Sequence, residues 1–181
     1  MSHPSILALG YSEASMVMRG AAAENVKAII AIAGAQELPI EAPVAVRRLD
    51  LRFDDLDTGD SVDKVANYRA WAQRRWAAET GRALTPPSME DARAIVEFAR
   101  DVRDGGGIVL CQCGAGMSRS PAAALLCLAA WKDTGREEDC VEELLRVRPA
   151  AVPLLGLVRF GDDVLGRGGR LVQAVLARRS A

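Results

Sequence analysis

The sequence contains very little histidine, and this shortage excludes several familiar kinds of catalytic site. The single histidine, His3, lies in an N-terminal segment that we expect to be mobile. A Ser-His-Asp triad, a Cys-His protease site and a histidine-rich metal centre are therefore not expected. The chain also lacks an excess of positive charge, with 23 basic against 24 acidic residues. Because nothing here would neutralise a phosphate backbone, we expect no nucleic-acid partner.

Cysteine and long apolar runs are also scarce. The four cysteines, at positions 111, 113, 127 and 140, are expected to be reduced thiols, because the first fifteen residues do not resemble a secretion signal. The longest apolar run, residues 122–131, is too short to span a bilayer. We therefore expect a cytoplasmic protein with no membrane contact. Its 181 residues suit a single domain, 1–181.

The remaining pattern alternates between strands and helices, which predicts a layered α/β domain. A helix in the segment 61–85, with Tyr68, Trp71 and Trp76 expected to pack in the core, precedes a capped helix that starts at Ser88. A further helix is expected from Ser120-Pro121, with the serine as N-cap. The predicted strands are 5–9, 26–33, 44–53 and 108–111, and the other predicted helices are 61–79, 88–104, 137–148, 154–165 and 171–178.

The segment from Cys113 to Ser120 carries the most specific chemical signal. A buried strand leads directly into Cys113, Gly114 and Gly116 allow a tight turn, and a helix follows Arg119. Such a loop points backbone N–H groups and a helix N-terminus at one place, which suits an anion. The arginine fork can hold two phosphate oxygens, and the same field favours a thiolate at the cysteine. A thiolate beside a bound phosphate is placed to attack phosphorus. Cys111 is expected to be a core residue on the opposite side of the strand.

This segment resembles the phosphate-binding loop of the cysteine-dependent protein tyrosine phosphatases, in particular the dual-specificity group, with its Cys-x5-Arg signature followed by Ser or Thr. The residues 51–55, Leu-Arg-Phe-Asp-Asp, resemble the general-acid loop of that family, and Arg148-Pro149 with Pro153 resembles a later helix-end motif. The resemblance implies a central, mostly parallel sheet flanked by helices. A loop at position 113 argues against the low-molecular-weight phosphatases and arsenate reductases, which carry a similar loop near the N-terminus.

The resemblance also implies roles for individual residues. Cys113 would form a phosphocysteine, and Ser120 would help its sulfur to leave. Asp55 would be the general acid, with Asp54 as the competing assignment and Asp57 as a poorer one. The phosphate would be bound by the loop residues Gly114, Ala115, Gly116, Met117, Ser118 and Arg119. Neither a metal nor an organic cofactor is expected, and the partner would be a phosphorylated protein or a small phosphate ester.

Three features depart from the family pattern. Gln112 stands where the family usually has histidine, Leu154 stands where it has asparagine, and the segment 61–85 lengthens the spacing between the acid loop and Cys113. The loop lacks the lysines that phosphoinositide phosphatases of the superfamily tend to have, so a singly phosphorylated aryl ester is the expected substrate. A phosphate-binding module without turnover and a sulfurtransferase or arsenate reductase remain alternatives, and the oligomeric state stays open.

Overall fold

The computed structural model describes residues 3–34, 37–38, 40–43, 45–56, 64–81 and 83–179, with only the backbone of residues 64–70. Four strands form one sheet in the order β1-β4-β2-β3, and every neighbouring pair is parallel. The strands are β1 (Ser5–Gly10), β2 (Val26–Ala33), β3 (Arg47–Arg52) and β4 (Ile108–Cys113). This confirms the predicted fold class, α/β with a central parallel sheet flanked by helices.

Seven α-helices lie between and after the strands within the described residues. They are α1 (Tyr11–Arg19), α2 (Lys64–Thr80), α3 (Met89–Val102), α4 (Arg119–Trp131), α5 (Glu137–Val147), α6 (Leu155–Val164) and α7 (Arg170–Arg179). Two short 3-10 turns, Ala21–Asn25 and Arg103–Gly105, lead into β2 and toward β4. The α4 helix is buried along almost its whole length, which its nearly uninterrupted apolar sequence requires.

The two faces of the sheet are covered unequally. Alternate residues of the strands, such as Ile30 and Val109, pack with α3 to α7 in the larger apolar cluster. Their neighbours, such as Ile29 and Leu110, pack with Ala14 of α1 in a smaller cluster. A sheet buried on both faces favours the continuous apolar run seen in β2.

Parallel pairing brings the loops that follow the four strands to one edge of the sheet. The carboxyl ends of β1, β2, β3 and β4 are Gly10, Ala33, Arg52 and Cys113. Ligands of open parallel sheets bind at this edge. The loop that begins at Cys113 therefore lies among the segments that follow β1, β2 and β3.

The predicted elements correspond closely to the observed ones, apart from the starts of β3 and α4 and one helix, α1. The structure shows β2 with the predicted bounds, and Ser88 caps α3 by accepting a hydrogen bond from the Asp91 N–H at 3.2 Å. However, β3 starts at Arg47 rather than at residue 44, because the Val46 N–H bonds to the Pro43 carbonyl and closes a turn. Position 44 itself and positions 57–63 lie outside the described residues. The α1 helix was not predicted.

Four side-chain expectations are wrong. His3 is held in place, since its ring stacks on Trp131 with centroids 5.2 Å apart. Cys111 is a core residue as predicted, but it points to the same face of β4 as Cys113, because alternation returns every second residue to the same face. Trp71 and Trp76 on α2 are 54% and 46% exposed and are not core residues.

Two general expectations can be compared with the described residues. The four cysteines, all within the described ranges, are free and buried. None of the helices in the described ranges is both long and apolar enough to cross a bilayer.

Gly161 allows α6 to approach α4 closely. A Cβ at this position would lie 1.7 Å from Leu126 Cδ2, which is far inside van der Waals contact. We expect Gly161→Ala to lower the free energy of unfolding by about 1–3 kcal/mol through overpacking. Gly105→Ala is the control, because its Cβ would meet nothing within 4 Å. Urea unfolding measures both variants, and an equal, small effect of the two would contradict this packing.

Candidate active site

Cys113 is the last residue of β4, and its buried sulfur lies at the floor of the loop that follows. The Gly116 N–H donates a hydrogen bond to Cys113 Sγ at 3.2 Å. Ser120 Oγ, from the first turn of α4, lies 3.2 Å from the same sulfur. The loop therefore folds back over the cysteine, and both neighbours can donate to a thiolate.

Gly116 must be glycine in this loop. Its φ is +71°, in the left-handed region that glycine adopts at no steric cost. A Cβ there would also lie 2.3 Å from the Gly10 nitrogen and 2.6 Å from the Leu9 carbonyl carbon. The close contact between this loop and the end of β1 thus fixes the path of the loop.

An arginine from outside the loop holds its carbonyl groups. Arg148, which follows α5, donates from Nε to the Gly116 carbonyl at 3.0 Å and from Nη2 to the Ala115 carbonyl at 3.4 Å. Its Nη1 donates to Glu13 Oε1 at 2.7 Å, and Glu13 Oε2 accepts the Gly10 N–H at 2.8 Å. The carbonyls of the loop are therefore directed toward Arg148 and away from the sulfur.

The backbone segment after α5 holds the second half of the loop. The Met117 carbonyl accepts the Val152 N–H at 2.8 Å, and the Ser118 carbonyl accepts the Leu154 N–H at 3.2 Å. By contrast, within the described part of the chain no acceptor bonds to the N–H groups of the loop residues Gly114, Ala115, Met117 and Ser118. Available donors in a tight loop at a helix N-terminus form an anion-binding cradle.

Arg119 is buried, and one edge of its guanidinium is occupied. Its Nη1 and Nη2 donate to the two oxygens of Glu37 at 2.7 Å and 3.0 Å, and Nη1 also reaches the Phe53 carbonyl at 3.2 Å. Among the described residues, Nε makes no hydrogen bond. Since a guanidinium has a second bidentate edge formed by Nε and one Nη, that edge is available for an oxyanion.

The electrostatic surroundings keep Arg119 charged. Burial lowers the pKa of Arg119, but the hydrogen bond to Glu37 and the charges of Cys113, Glu37 and Asp55 outweigh burial and raise it. The site therefore holds a fixed cation beside the sulfur.

The two aspartates after β3 have different surroundings. Asp55 Oδ1 accepts a hydrogen bond from Ser118 Oγ of the loop at 2.5 Å. Asp54 is buried, and its Oδ2 accepts the Thr85 N–H at 3.0 Å while its own N–H donates to the Thr85 carbonyl at 2.7 Å. Asp54 thus joins the two ends of the segment that contains α2, whereas Asp55 faces the loop. Asp57 lies outside the described residues.

The start of α4 differs from the prediction. The N-cap is Ser118 rather than Ser120, and its side chain caps no N–H but donates a hydrogen bond to Asp55. Ser120 is the second helical residue, and its hydroxyl donates to the Leu9 carbonyl at 3.1 Å. The one hydroxyl proton of Ser120 can therefore serve either Leu9 or the Cys113 sulfur.

Two other cysteines are poor nucleophiles by comparison. A hydrogen bond with Cys127 and burial raise the pKa of Cys111 well above its ordinary value. Burial raises the pKa of Cys140 to about 11. Both residues stay protonated at neutral pH, so neither competes with Cys113 for an electrophile.

Solved structures with a similar architecture include proteins named as tyrosine and dual-specificity phosphatases. Tk-PTP in its active form aligns with a TM-score of 0.55 and 17% identity, over 92% of this chain and 94% of that one. PTPMT1 in complex with PI(5)P aligns with a TM-score of 0.51 and 17% identity, over 91% of this chain and 94% of that one. A variant of human DUSP28 aligns with a TM-score of 0.51 and 20% identity, over 94% of each chain. The fold is that of the tyrosine and dual-specificity phosphatases. No protein-family model and no curated protein sequence matches the chain.

Sequence reasoning missed two acidic residues at the loop of this phosphatase fold. Glu13 and Glu37 follow the carboxyl ends of β1 and β2, at the edge of the sheet where β4 also ends. Their arginine partners, Arg148 and Arg119, lie 135 and 82 positions further along the chain. A search for acidic residues just past each predicted parallel strand would have found both.

Gly116→Ala should abolish anion binding by the loop. The added Cβ would collide with the backbone of β1, so the loop could not keep its Cys113-facing conformation. Gly135→Ala is a matched control, because its φ is +93° but its Cβ would meet nothing within 4 Å. Isothermal titration with inorganic phosphate should show binding to the wild type and to Gly135→Ala only. Unchanged phosphate affinity in Gly116→Ala would refute this description of the loop.

The Glu13 interaction should stabilise the fold in a pH-dependent way. The hydrogen bond from Arg148 leads the interactions that lower the pKa of Glu13 below its ordinary value of 4.5. Its stabilisation is therefore present above pH 4.5 and is lost as the pH falls through the lowered pKa. We expect Glu13→Gln to reduce stability at neutral pH and to match the wild type in strong acid.

Urea unfolding at several pH values measures this difference. The exposed Glu97 of α3 provides the control Glu97→Gln. A Glu13→Gln effect that is independent of pH would show that charge pairing with Arg148 is not its origin.

Proposed function

We propose that the protein hydrolyses phosphate monoesters through a phosphocysteine on Cys113. The observation that carries this proposal is the hydrogen bond from the Gly116 N–H to the Cys113 sulfur, in a loop whose other N–H groups are available. These donors and the Nε edge of Arg119 suit the three equatorial oxygens of a phosphoryl group in the transition state. The similarity in fold to cysteine-based phosphatases supports the same reaction class.

The first step forms an S–P bond and breaks the ester P–O bond. The Cys113 thiolate supplies the electron pair, and the leaving oxygen takes a proton from the carboxylic acid of Asp55. In the second step, water attacks phosphorus and gives its proton to Asp55, while the sulfur departs as a thiolate. The Ser120 hydroxyl, 3.2 Å from the sulfur, can turn from the Leu9 carbonyl and stabilise that thiolate.

Asp55 rather than Asp54 is the proposed acid. The contact of Asp55 with Ser118 holds its carboxyl at the loop, whereas the Asp54 carboxyl is bonded to the Thr85 backbone. Phe53, directly before this pair, accepts a hydrogen bond from Arg119, which couples the position of the acid loop to the phosphate-binding arginine.

The proposed substrates are singly phosphorylated aryl esters, with phosphotyrosine in proteins as the natural example. The residues between Cys113 and Arg119 are all uncharged. A second phosphate would therefore find no cation within the loop. PTPMT1, which has a similar fold, is described in complex with PI(5)P, so the fold alone does not decide between aryl phosphates and phosphoinositides.

Steady-state hydrolysis of an aryl phosphate tests this proposal. The wild type should release phosphate in the presence of EDTA, and Cys113→Ser and Arg119→Lys should each lose nearly all activity. Asp55→Asn should lower kcat by about 10²–10⁴-fold, which is the usual contribution of a positioned proton donor. Its affinity for inorganic phosphate should stay close to that of the wild type.

Asp54→Asn is the matched control, because it changes the neighbouring carboxyl by the same single atom. It should retain more activity than Asp55→Asn, and the reverse order would assign the acid role to Asp54. Phosphopeptide binding without phosphate release would identify a binding module. This alternative is suggested by Gln112, which stands where the family usually has histidine. Sulfur transfer from thiosulfate to cyanide without phosphatase activity would identify a sulfurtransferase.

A further inference from the structure

A cavity of about 400 Å³ opens beside the phosphate loop, on the side of β1 and β2. Its lining residues are Tyr11, Glu37, Leu38, Gln112 and Gly114. Gly114 is the first loop residue after the cysteine, and Glu37 holds Arg119. A Cβ on Gly114 would lie 2.8 Å from Glu37 Oε1, so these two residues are in contact where the cavity meets the loop. The cavity therefore adjoins the first residue of the proposed phosphate-binding loop.

Gln112 gives this cavity an unusual polar wall. In the parallel register it pairs with Leu9 and Ala31, so its side chain lies on the face of the sheet opposite to Cys113. Only 1% of Gln112 is exposed, and its Oε1 has no hydrogen-bond partner among the described residues. An unpaired buried acceptor costs about 1–3 kcal/mol, and a ligand that donates a hydrogen bond would recover that cost.

The other walls are apolar or negatively charged. The Leu38 side chain is 77% exposed at the rim, and the Tyr11 ring is also exposed. The Tyr11 N–H donates to the Gly114 carbonyl at 3.0 Å, which holds this residue against the phosphate loop. Among the five described residues that line the cavity, Glu37 carries the single formal charge at neutral pH. A flat, uncharged group fits such walls, and a second anionic group does not.

We propose that this cavity, the Gln112 pocket, binds the substrate group next to the phosphoester, and that this group is an uncharged aromatic ring bearing an N–H or O–H donor for Gln112. The inference rests on the proposed phosphatase function and narrows its substrates to aryl esters whose ring carries such a donor, which the ring of phosphotyrosine does not. The phosphoryl group occupies the loop, the ring lies against Leu38 and Tyr11, and the donor reaches the carboxamide of Gln112. Glu37 disfavours substrates with a second phosphate at this position.

Three kinds of aryl ester test the proposal: phenyl phosphate, naphthyl phosphate and the isomers of hydroxynaphthyl phosphate. Leu38→Ala should lower kcat/KM for the naphthyl esters by roughly three- to tenfold through lost apolar contact, with little change for phenyl phosphate. Met16→Ala is the matched control, because Met16 is 69% exposed on α1 and does not line the pocket. It should leave kcat/KM for all of these substrates unchanged.

Gln112→Leu removes the acceptor and keeps the side chain close in size. The kcat/KM of the wild type for at least one hydroxynaphthyl phosphate isomer should exceed its kcat/KM for naphthyl phosphate by roughly three- to tenfold. Gln112→Leu should lose this preference. Because the variant removes an unpaired buried oxygen, it should unfold at a urea concentration no lower than that of the wild type. The inhibition constant of inorganic phosphate should be the same in Leu38→Ala, Gln112→Leu and the wild type.

Each result has a defined meaning. Phosphate inhibition with identical substrate preferences in the wild type and both pocket variants would overturn the Gln112 pocket and leave the phosphatase proposal standing. If the pocket variants lost kcat/KM equally for all substrates and also bound inorganic phosphate more weakly, the Gln112 pocket would be overturned too, because the effect would then come from the loop. A wild type that neither binds phosphate nor cleaves any ester would overturn the proposed function and this inference together.

Discussion

The candidate site depends on one constraint, which is that the loop after β4 must present N–H groups to the Cys113 sulfur and send its carbonyls elsewhere. The peptide groups of a tight loop can satisfy this condition only when strong donors outside the loop bind the carbonyls. Arg148 and the backbone of the segment 152–154 provide those donors. Gly116, which has a positive φ and packs against β1, provides the required turn. Removal of any one of these parts would point peptide dipoles of the wrong sign at the sulfur.

Charges of both signs are arranged around this loop in a definite order. Arg119 provides a buried cation that interacts electrostatically with Cys113, and Glu37 occupies one edge of its guanidinium without occupying the Nε edge. A buried cation is costly without such a partner, so Glu37 both compensates the charge and fixes the plane of the guanidinium. Glu13 has the same relation to Arg148 on the outer side of the loop. Two ion pairs, Arg119–Glu37 and Arg148–Glu13, thus hold the loop from two sides.

The sequence was sufficient to predict most of the fold, because apolar strands and capped helices are local signals. The bounds of β2 and the cap at Ser88 illustrate this. The Cys-x5-Arg spacing, with the strand before it and the helix after it, led to the prediction of the loop as the candidate site. The α1 helix was missed because it is only nine residues long and buries only Ala14. Glu13 and Glu37 were missed because their partners are distant in the chain and meet them only at the edge of the parallel sheet. The different surroundings of Asp54 and Asp55 also could not be predicted, since adjacent residues in a loop can face opposite ways.

The side chain of Gln112 shows how a single departure from a family pattern can change in meaning. From the sequence it suggested a less acidic cysteine, because glutamine carries no charge. In the fold, alternation along β4 puts the Gln112 side chain on the face opposite to Cys113, where it lines a cavity beside the loop. Its consequence for the chemistry is therefore expected to be in substrate selection.

The most direct test of the central claim is a crystal structure of the protein soaked with orthovanadate. The account predicts vanadium bonded to Cys113 Sγ, with its equatorial oxygens accepting hydrogen bonds from the loop N–H groups and from Arg119 Nε while Glu37 keeps the opposite edge. An unliganded loop at saturating vanadate, or vanadate bound elsewhere with the loop carbonyls facing the sulfur, would contradict it.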